Sequence, residues 1–194
     1  MDETFAQTFL AEIQEVAALI DTKPIEKAAW LLAGLRNRGG RLFILGNGGG
    51  AANASHAVND FRKIANIEAY TPTDNVAELT ARINDDGWVA SFCKWLITCR
   101  LSRQDVVLIL SVGGGNYHTS PNIAAALTYS RHVGASIIGI VGRDGGHTAR
   151  VADVCILVPT VHEPRITPHV EILQAVIWHL LVSHPLLAGS PDER

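Results

Sequence analysis

The chain has 194 residues, of which 47% are hydrophobic, and its formal net charge is −3. This length and hydrophobicity suit one domain with a full core and exclude an intrinsically disordered chain. No block of Lys or Arg is present, so the charge pattern argues against nonspecific nucleic-acid binding. The three cysteines, Cys93, Cys99 and Cys155, lack zinc-type spacing, which indicates reduced, buried thiols.

The first twenty residues are acidic, and charges interrupt their apolar positions, which is not the pattern of a signal peptide. No uninterrupted apolar run approaches the ~20 residues that cross a bilayer. We therefore expect a cytoplasmic protein without a membrane partner.

Two helices are predicted before the first strand. Apolar residues at helical spacing predict a helix over residues 3–21. Pro24 suits the first turn of a second helix that runs to about residue 36 and ends in the Asn-Arg-Gly-Gly segment at 37–40. A dinucleotide-binding chain usually opens directly on its first strand, so the leading helical pair is unusual for that class.

Continuous apolar runs then alternate with helical patterns. The predicted strands are 42–45, 66–71, 105–110, 136–141 and 154–158. The predicted helices follow the first glycine turn, cover 75–100 with an interruption at 84–87, begin at 120, and cover 147–152 and 167–182. This alternation predicts an α/β fold with a parallel sheet that helices cover on both faces. We expect one domain over 1–194, made of a helical pair at 1–38, an α/β core at 40–183 and a polar tail at 184–194.

The first strand runs into a turn with four glycines in five positions, residues 46–50. A strand, a glycine turn and a helix in sequence present backbone N–H groups to an anion, so Asn47, Gly48 and Gly49 are predicted to hold a phosphate. The bland alternative is that the glycines only permit a tight turn. The Walker motif is excluded because no Gly-Lys-Ser/Thr follows, but the turn fits a dinucleotide fingerprint with Glu68 on the ribose, so nicotinamide binding stays open.

The predicted strand at 105–110 also ends in a glycine turn, which we call the second turn. The segment that follows this strand supplies Gly113 and Gly114 and the hydroxyl groups of Ser111, Thr119 and Ser120. Hydroxyls near a helix N-terminus suit a phosphate dianion, and this reading is favoured over the alternative that Ser120 is only an N-cap residue.

Two helices carry His and carboxylate groups. His56 and Asp60 lie four residues apart and share one helix face, while Glu171 and His179 stand in the apolar last helix. Such groups suit zinc, but a solvated helix face or a satisfied core histidine explains each pair as well. The eight residues from Glu171 to His179 rise ~12 Å, so one ion reaches both only if Glu171 lies at a loosened helix start or comes from a neighbouring subunit.

Asn84 and Asp85 stand just before a glycine. Two readings are equally good: an ordinary turn, or a loop whose amide and carboxylate bind sugar hydroxyls.

Together these motifs resemble the sugar isomerase (SIS) domain family, in particular its phosphoheptose isomerases. The resemblance covers nearly the whole chain. The matching segments are GNGGGAANASHAVND at 46–60, INDDGW at 83–88, DVVLILSVGGG at 105–115, SPNIAAAL at 120–127, GIVGRDGG at 139–146, and the last helix.

The resemblance implies a single SIS domain with a five-stranded parallel sheet flanked by helices, and a homotetramer with active sites at the subunit interfaces. It implies one zinc ion per subunit on His56, Asp60, Glu171 and His179, with Asp60 and His179 also serving as the catalytic acid/base pair. Turn chemistry and resemblance together predict these substrate-binding residues: Asn47, Gly48, Gly49, Asn84, Asp85, Ser111, Gly113, Gly114, Thr119, Ser120 and Glu171.

The chain departs from the family pattern in four ways. Asp60 replaces a glutamate, Glu171 replaces a glutamine, and Gly50 replaces a serine. The second turn has glycines and about three extra residues where the family has a Ser/Thr-rich loop.

The activity that the resemblance implies is aldose–ketose isomerisation. It would interconvert sedoheptulose 7-phosphate and D-glycero-D-manno-heptose 7-phosphate through an enediol(ate), for surface polysaccharide or nucleotide-activated heptose. The alternative is a non-catalytic SIS module that binds a phosphosugar or another protein. Retention of His56, Asp60 and His179 together favours the enzyme.

Overall fold

A computed structural model describes residues 4–188 of the chain. Within that range five strands form one parallel sheet in the order β2-β1-β3-β4-β5. They are β1 (Leu42–Gly46), β2 (Ala69–Tyr70), β3 (Val106–Ser111), β4 (Ser136–Val141) and β5 (Val154–Leu157). The predicted α/β fold with a five-stranded parallel sheet is confirmed.

The helices of the described range lie on both faces of this sheet. They are α1 (Phe5–Leu19), α2 (Lys23–Asn37), α3 (Gly49–Lys63), α4 (Val76–Asp86), α5 (Ser91–Thr98), α6 (Pro121–Val133), α7 (Gly146–Val151) and α8 (Ile166–Ser183). Helices α1, α2, α3 and α8 bury their apolar residues on one face, and α5 and α6 bury theirs on the other.

The central strands β1 and β3 are buried along their whole length. Leu42 and Ile44 of β1 point into the core on the α3 side, whereas Phe43 and Leu45 point into the core on the α6 side. Because both faces are covered, these strands read as continuous apolar runs rather than as an alternating pattern.

Two predicted boundaries were wrong in the middle of the chain. The second strand is only Ala69–Tyr70, because Asn66 turns the backbone into the left-handed region (φ 50°) and the Ile67 N–H still donates to the Phe61 carbonyl. The helix over 75–100 is interrupted at 87–90 rather than at 84–87. Helix α4 continues to Asp86 and ends only at Gly87, which takes a φ of 80°.

The last helix also begins differently from the prediction. A 3₁₀ turn, Glu163–Arg165, runs directly into α8, so Arg165 and not Thr167 stands at the N-cap position. Arg165 donates two hydrogen bonds to Glu12 of α1, and Glu12 also lies 3.1 Å from the Nε2 atom of the buried His169. This cluster fastens the first helix to the last one.

The start of the predicted polar tail is part of the packed structure. Leu187 is fully buried, and the carbonyls of Leu186 and Leu187 accept hydrogen bonds from Arg36. The rest of that tail, 189–194, and the predicted helix start at residue 3 lie outside the described residues.

The segment Glu163–Ser183 is long and apolar enough to span a membrane, as judged by length and composition alone. Half of its most apolar window is buried against the rest of the protein, and Trp178, Leu173 and Ile177 of this segment belong to the core. A core helix passes the same test of length and hydropathy.

Candidate active site

A cleft of about 250 Å³ opens at the carboxyl ends of β1 and β3. The chain leaves β1 toward β2 on one side and enters β3 on the other, so the strand order reverses between these two strands. Ligands of open parallel sheets bind at such a switch point. The cleft is lined by Asn47, Gly50, Ser111, Val112, Gly113, Thr119, Ser120, Arg143 and Thr167.

Three hydroxyl groups in the cleft have no hydrogen-bond partner among the described residues. Within residues 4–188, the hydroxyls of Ser111, Thr119 and Ser120 make no hydrogen bond. Ser120 precedes α6 with a left-handed φ of 57° and forms no side-chain cap, so the plain N-cap reading of this serine does not describe the structure. The side chain of Asn47 is fixed by two reciprocal hydrogen bonds of 3.0 Å with the buried Asn122. The arrangement presents polar groups and two helix N-termini to a ligand, as an anion requires.

The glycines predicted to hold the phosphate occupy different positions. Gly113 lines the cleft, and so does Gly50 of the first turn, which was not among the predicted substrate-binding residues. Gly48 stands at the N-cap of α3 with a φ of 56° and open space around its α-carbon. Gly49 lies against the Glu171 carboxyl group, and Gly114 lies against the backbone of Gly145. Gly48, Gly49 and Gly114 are therefore not among the residues that line the cleft.

A second group of polar side chains lies farther along α3. His56 and Asp60 of α3 meet His179 of α8, and one ligand atom from each lies within 4.8 Å of the others. The Nε2 atoms of His56 and His179 lie 3.8 Å and 3.9 Å from the same carboxylate oxygen of Asp60. The group is at the surface of the chain, since the histidine side chains are 59% and 50% exposed.

This group has the chemistry of a metal centre. The Nδ1 atom of His179 lies 2.8 Å from the Ala175 carbonyl, so Nδ1–H donates there and the lone pair of Nε2 faces Asp60. The His56 ring is held edge-on against Trp178, with 4.6 Å between ring centroids. Two imidazoles and one carboxylate are a common catalytic zinc set, whose donor atoms lie ~3.3 Å apart in a tetrahedral site. The observed separations need only a small contraction, so the residues fit a metal ion.

Glu171 does not join these three side chains. Helices α3 and α8 run side by side in the same direction, so Glu171 faces the start of α3 while His179 faces its third turn. Its carboxyl group packs on Gly49, and its backbone carbonyl accepts a hydrogen bond from Asn53. In the single chain, the ~12 Å rise between Glu171 and His179 keeps the predicted four ligands apart.

The remaining predicted residues are not among those that line the cleft. Asn84 and Asp85 lie in the last turn of α4, where the Asn84 amide donates to the Asp85 carboxylate. Glu68, the ribose ligand of the nicotinamide alternative, accepts a hydrogen bond from the Tyr70 hydroxyl at the edge of the sheet.

Sequence reasoning missed four residues that line the cleft, which are Gly50, Val112, Arg143 and Thr167. It also missed Asn122, whose side chain fixes that of Asn47. The position of Arg143 two residues after a core strand was the available signal, because the carboxyl ends of parallel strands share one edge of the sheet.

His147 lies beside the second turn, where its N–H donates to the Gly115 carbonyl. Burial and the positive charge of Arg150 lower the pKa of His147, so its ring is neutral near pH 7. It adds no charge to this edge of the sheet.

Comparison with known proteins agrees with this fold. The family model of the SIS domain matches residues 4–142, so the chain belongs to the SIS domain family. The phosphoheptose isomerase of Syntrophotalea carbinolica is 32% identical over 184 residues, which cover 90% of this chain and 88% of that protein. The family resemblance inferred from the motifs is thereby confirmed.

Solved structures give the same result. Phosphoheptose isomerase GmhA from Neisseria gonorrhoeae superposes with a TM-score of 0.78 at 26% identity, covering 92% of this chain and 93% of that chain. A phosphoheptose isomerase from Francisella tularensis has a TM-score of 0.78 at 20% identity and covers 99% of this chain and 100% of that chain. At that identity the second likeness concerns the fold alone.

Proposed function

We propose that the chain is an aldose–ketose isomerase that interconverts sedoheptulose 7-phosphate and a heptose 7-phosphate. The observation that carries this proposal is the convergence of His56, Asp60 and His179 from two helices, in a chain 32% identical to a named phosphoheptose isomerase. A binding module has no need of an acid/base group, so this geometry favours the enzyme over the non-catalytic alternative.

The cleft suits the phosphate end of the substrate. Its free hydroxyls, on Ser111, Thr119 and Ser120, can donate hydrogen bonds to phosphate oxygens, and the N-termini of α3 and α6 favour negative charge. Thr167 offers a further hydroxyl on the same wall.

Asp60 and His179 suit the proton transfers. One of them removes one of the two protons on C1 of the ketose, next to the carbonyl at C2, so C1 keeps one hydrogen and becomes the aldehyde carbon of the aldose. C2 receives a proton, and the other residue moves a proton between O1 and O2 of the enediol(ate). General acid–base help of this kind accelerates a reaction ~10²–10⁴-fold.

His56, Asp60 and His179 would hold one zinc ion, with a coordination position left open for substrate. When bound, the ion would polarise the carbonyl and stabilise negative charge on its oxygen. The prediction that Glu171 is a fourth ligand would require Glu171 of another subunit, because in one chain this residue packs on Gly49.

A homotetramer with interfacial active sites fits the geometry. Asp60 lies ten residues beyond Gly50, or ~15 Å along α3, so one chain holds its phosphate cleft and its His/Asp group at separate places. Ile172, Val176 and Leu180 form an apolar stripe on α8, and each is at least 37% exposed. A neighbouring subunit that covers this stripe would also enclose the exposed His56 and His179, and it would be the natural source of Asn84 and Asp85. We expect the enzyme in the cytoplasm.

Turnover of sedoheptulose 7-phosphate, followed by NMR of the sugar, tests the proposal. We expect turnover by the native protein, at least a ~10²-fold loss in His179→Ala, and a loss in the presence of a chelator that added zinc reverses. His132→Ala is the matched control, because His132 is an exposed histidine on α6 far from the group. Binding of the sugar phosphate without turnover would instead support the sensor module. Turnover that ignores the chelator would refute the zinc proposal alone.

Mixing two inactive variants tests the interfacial site. His179→Ala lacks the acid/base group, and Ser120→Asp places a negative charge in the phosphate cleft. If each site combines the cleft of one subunit with the group of another, co-refolded variants regain about one quarter of the native sites by random pairing. If each chain holds a whole site, the mixture stays inactive.

A further inference from the structure

Arg143 stands two residues after the end of β4 and lines the cleft. It is the one charged residue among those that line the cleft in the described part of the chain. Its Cδ atom lies 3.9 Å from the position that a β-carbon on Gly113 would take, which is van der Waals distance, so the arginine side chain runs alongside the second turn.

The backbone at Arg143 is held in an unusual conformation. Its φ is 53°, in the left-handed region that a residue with a side chain rarely adopts. The neighbouring Gly142 donates a hydrogen bond of 3.0 Å to the Val112 carbonyl, which joins the turn after β4 to the turn after β3. Strained residues of this kind cluster at ligand sites, where the surrounding structure maintains them.

The guanidinium group of Arg143 has no protein partner. Over residues 4–188 it makes no hydrogen bond or ion pair, whereas Arg41, Arg82, Arg131 and Arg165 are each paired with a carboxylate. A second cavity on its other side contains Asp144 and Glu163, yet neither carboxylate lies within ion-pair distance of Arg143. An unpaired guanidinium group beside hydroxyls that make no hydrogen bond forms a site that an anion would complete.

We propose that Arg143 binds the phosphoryl group of the substrate and determines the preference of this cleft for a phosphate dianion. The inference rests on the proposed function, since it assigns a ligand to the same cleft. It also accounts for two departures from the family pattern. Gly50 and the glycine-rich second turn remove hydroxyl donors, and a guanidinium fork supplies two charge-assisted hydrogen bonds in their place.

The test measures binding by calorimetry, independently of turnover. The ligands are inorganic phosphate, sedoheptulose 7-phosphate and unphosphorylated sedoheptulose, and the protein is the native chain, Arg143→Gln or Arg143→Lys. We expect Arg143→Gln to lower the affinity for both phosphate ligands ~10–100-fold and to leave the affinity for the neutral sugar unchanged. Arg143→Lys keeps the positive charge but loses the forked pair of guanidinium donors, so its phosphate affinity should fall between those of the native chain and Arg143→Gln. In turnover, KM should rise more than kcat changes.

Two controls separate a phosphate ligand from a structural cation. Arg150→Gln removes the same charge from an exposed site on α7 that does not line the cleft. Glu163→Gln removes the carboxylate of the second cavity, and it would match Arg143→Gln if the arginine served only to pair with that residue. Thermal unfolding verifies that each variant is folded. If Arg143→Gln does not fold, the intermediate affinity of Arg143→Lys carries the test.

The outcomes distinguish this inference from the isomerase proposal. Arginine-dependent phosphate binding without turnover would keep the role of Arg143 and refute the isomerase. Turnover by the native protein with unchanged phosphate affinity in both Arg143 variants would overturn the role of Arg143 and keep the isomerase. If the native protein binds neither inorganic phosphate nor sedoheptulose 7-phosphate, the proposed role of Arg143 is overturned as well.

Discussion

Replacing Gly114 by alanine should loosen the wall of the cleft. Gly114 belongs to the second turn and has a φ of 66°. A β-carbon built there would meet the Gly145 carbonyl oxygen far inside the 3.0 Å that real β-carbons keep. The Gly114 carbonyl also accepts hydrogen bonds from the N–H and hydroxyl of Thr148, so the two turns are joined backbone to backbone.

The cost has two parts. The left-handed backbone costs a residue with a β-carbon ~1–2 kcal/mol. Forcing two backbone segments apart in a packed region costs a further ~1–3 kcal/mol. We therefore expect Gly114→Ala to lose ~2–5 kcal/mol of unfolding free energy, which for a chain of this size lowers Tm by ~4–20 °C.

Gly39 provides the matched control. Its φ is 65°, nearly the same as that of Gly114, but nothing lies within 4 Å of the position of its β-carbon. Gly39→Ala should therefore show only the backbone part of the cost. Calorimetric unfolding of both variants measures the difference, and the KM for the sugar phosphate should rise in Gly114→Ala alone. Equal losses of Tm in the two variants would refute the reasoning, because the clash would then contribute nothing.

Two further predictions concern stability and assembly. Asp105 is 3% exposed and accepts hydrogen bonds from Arg41 and Ser102, so Asp105→Asn should cost ~2–4 kcal/mol at pH 7. Burial acts to raise the pKa of Asp105, but these hydrogen bonds outweigh it and hold the pKa below its usual value. Its contribution is therefore complete above pH ~4 and is lost as the pH falls through the lowered pKa, and urea unfolding should show the gap between native and variant closing at acid pH. Val176→Asp, at the centre of the exposed stripe on α8, should dissociate the assembly, which size-exclusion chromatography with light scattering measures as a lower mass. Ile97→Asp is the control, because Ile97 is also apolar and exposed but lies on α5, and it should leave the mass unchanged. An unchanged mass for Val176→Asp would exclude that stripe from the interface.

Local features were readable from the sequence because their physics is local. Apolar runs predicted β1, β3 and β4 most clearly, since a strand buried on both faces has few polar residues, whereas β2 lies at the sheet edge and exposes Tyr70. The glycine turns marked the edge of the sheet at which the cleft opens. His56 and Asp60 were predicted to share a face because four residues make about one helical turn.

Boundaries failed where a single backbone angle decided them. Asn66 shortened β2 by adopting a left-handed φ, and α4 continued through Asn84 and Asp85 until Gly87 ended it. Periodicity does not report such angles, because side chains on both sides of the boundary remain compatible with either structure.

The site itself was decided by packing between segments far apart in the chain. Because α8 lies parallel to α3, His179 joins His56 and Asp60, while Glu171 is carried to Gly49 at the other end of the contact. Because β4 pairs with β3, Arg143 reaches the cleft at the carboxyl ends of β1 and β3, although nearly a hundred residues separate it from Asn47 in the chain. The sequence by itself named the side chains that we propose carry the chemistry, because their residue types and local spacing are written in it. Only the tertiary structure decided which of them meet, because the direction of two packed helices and the order of strands are properties of the whole core.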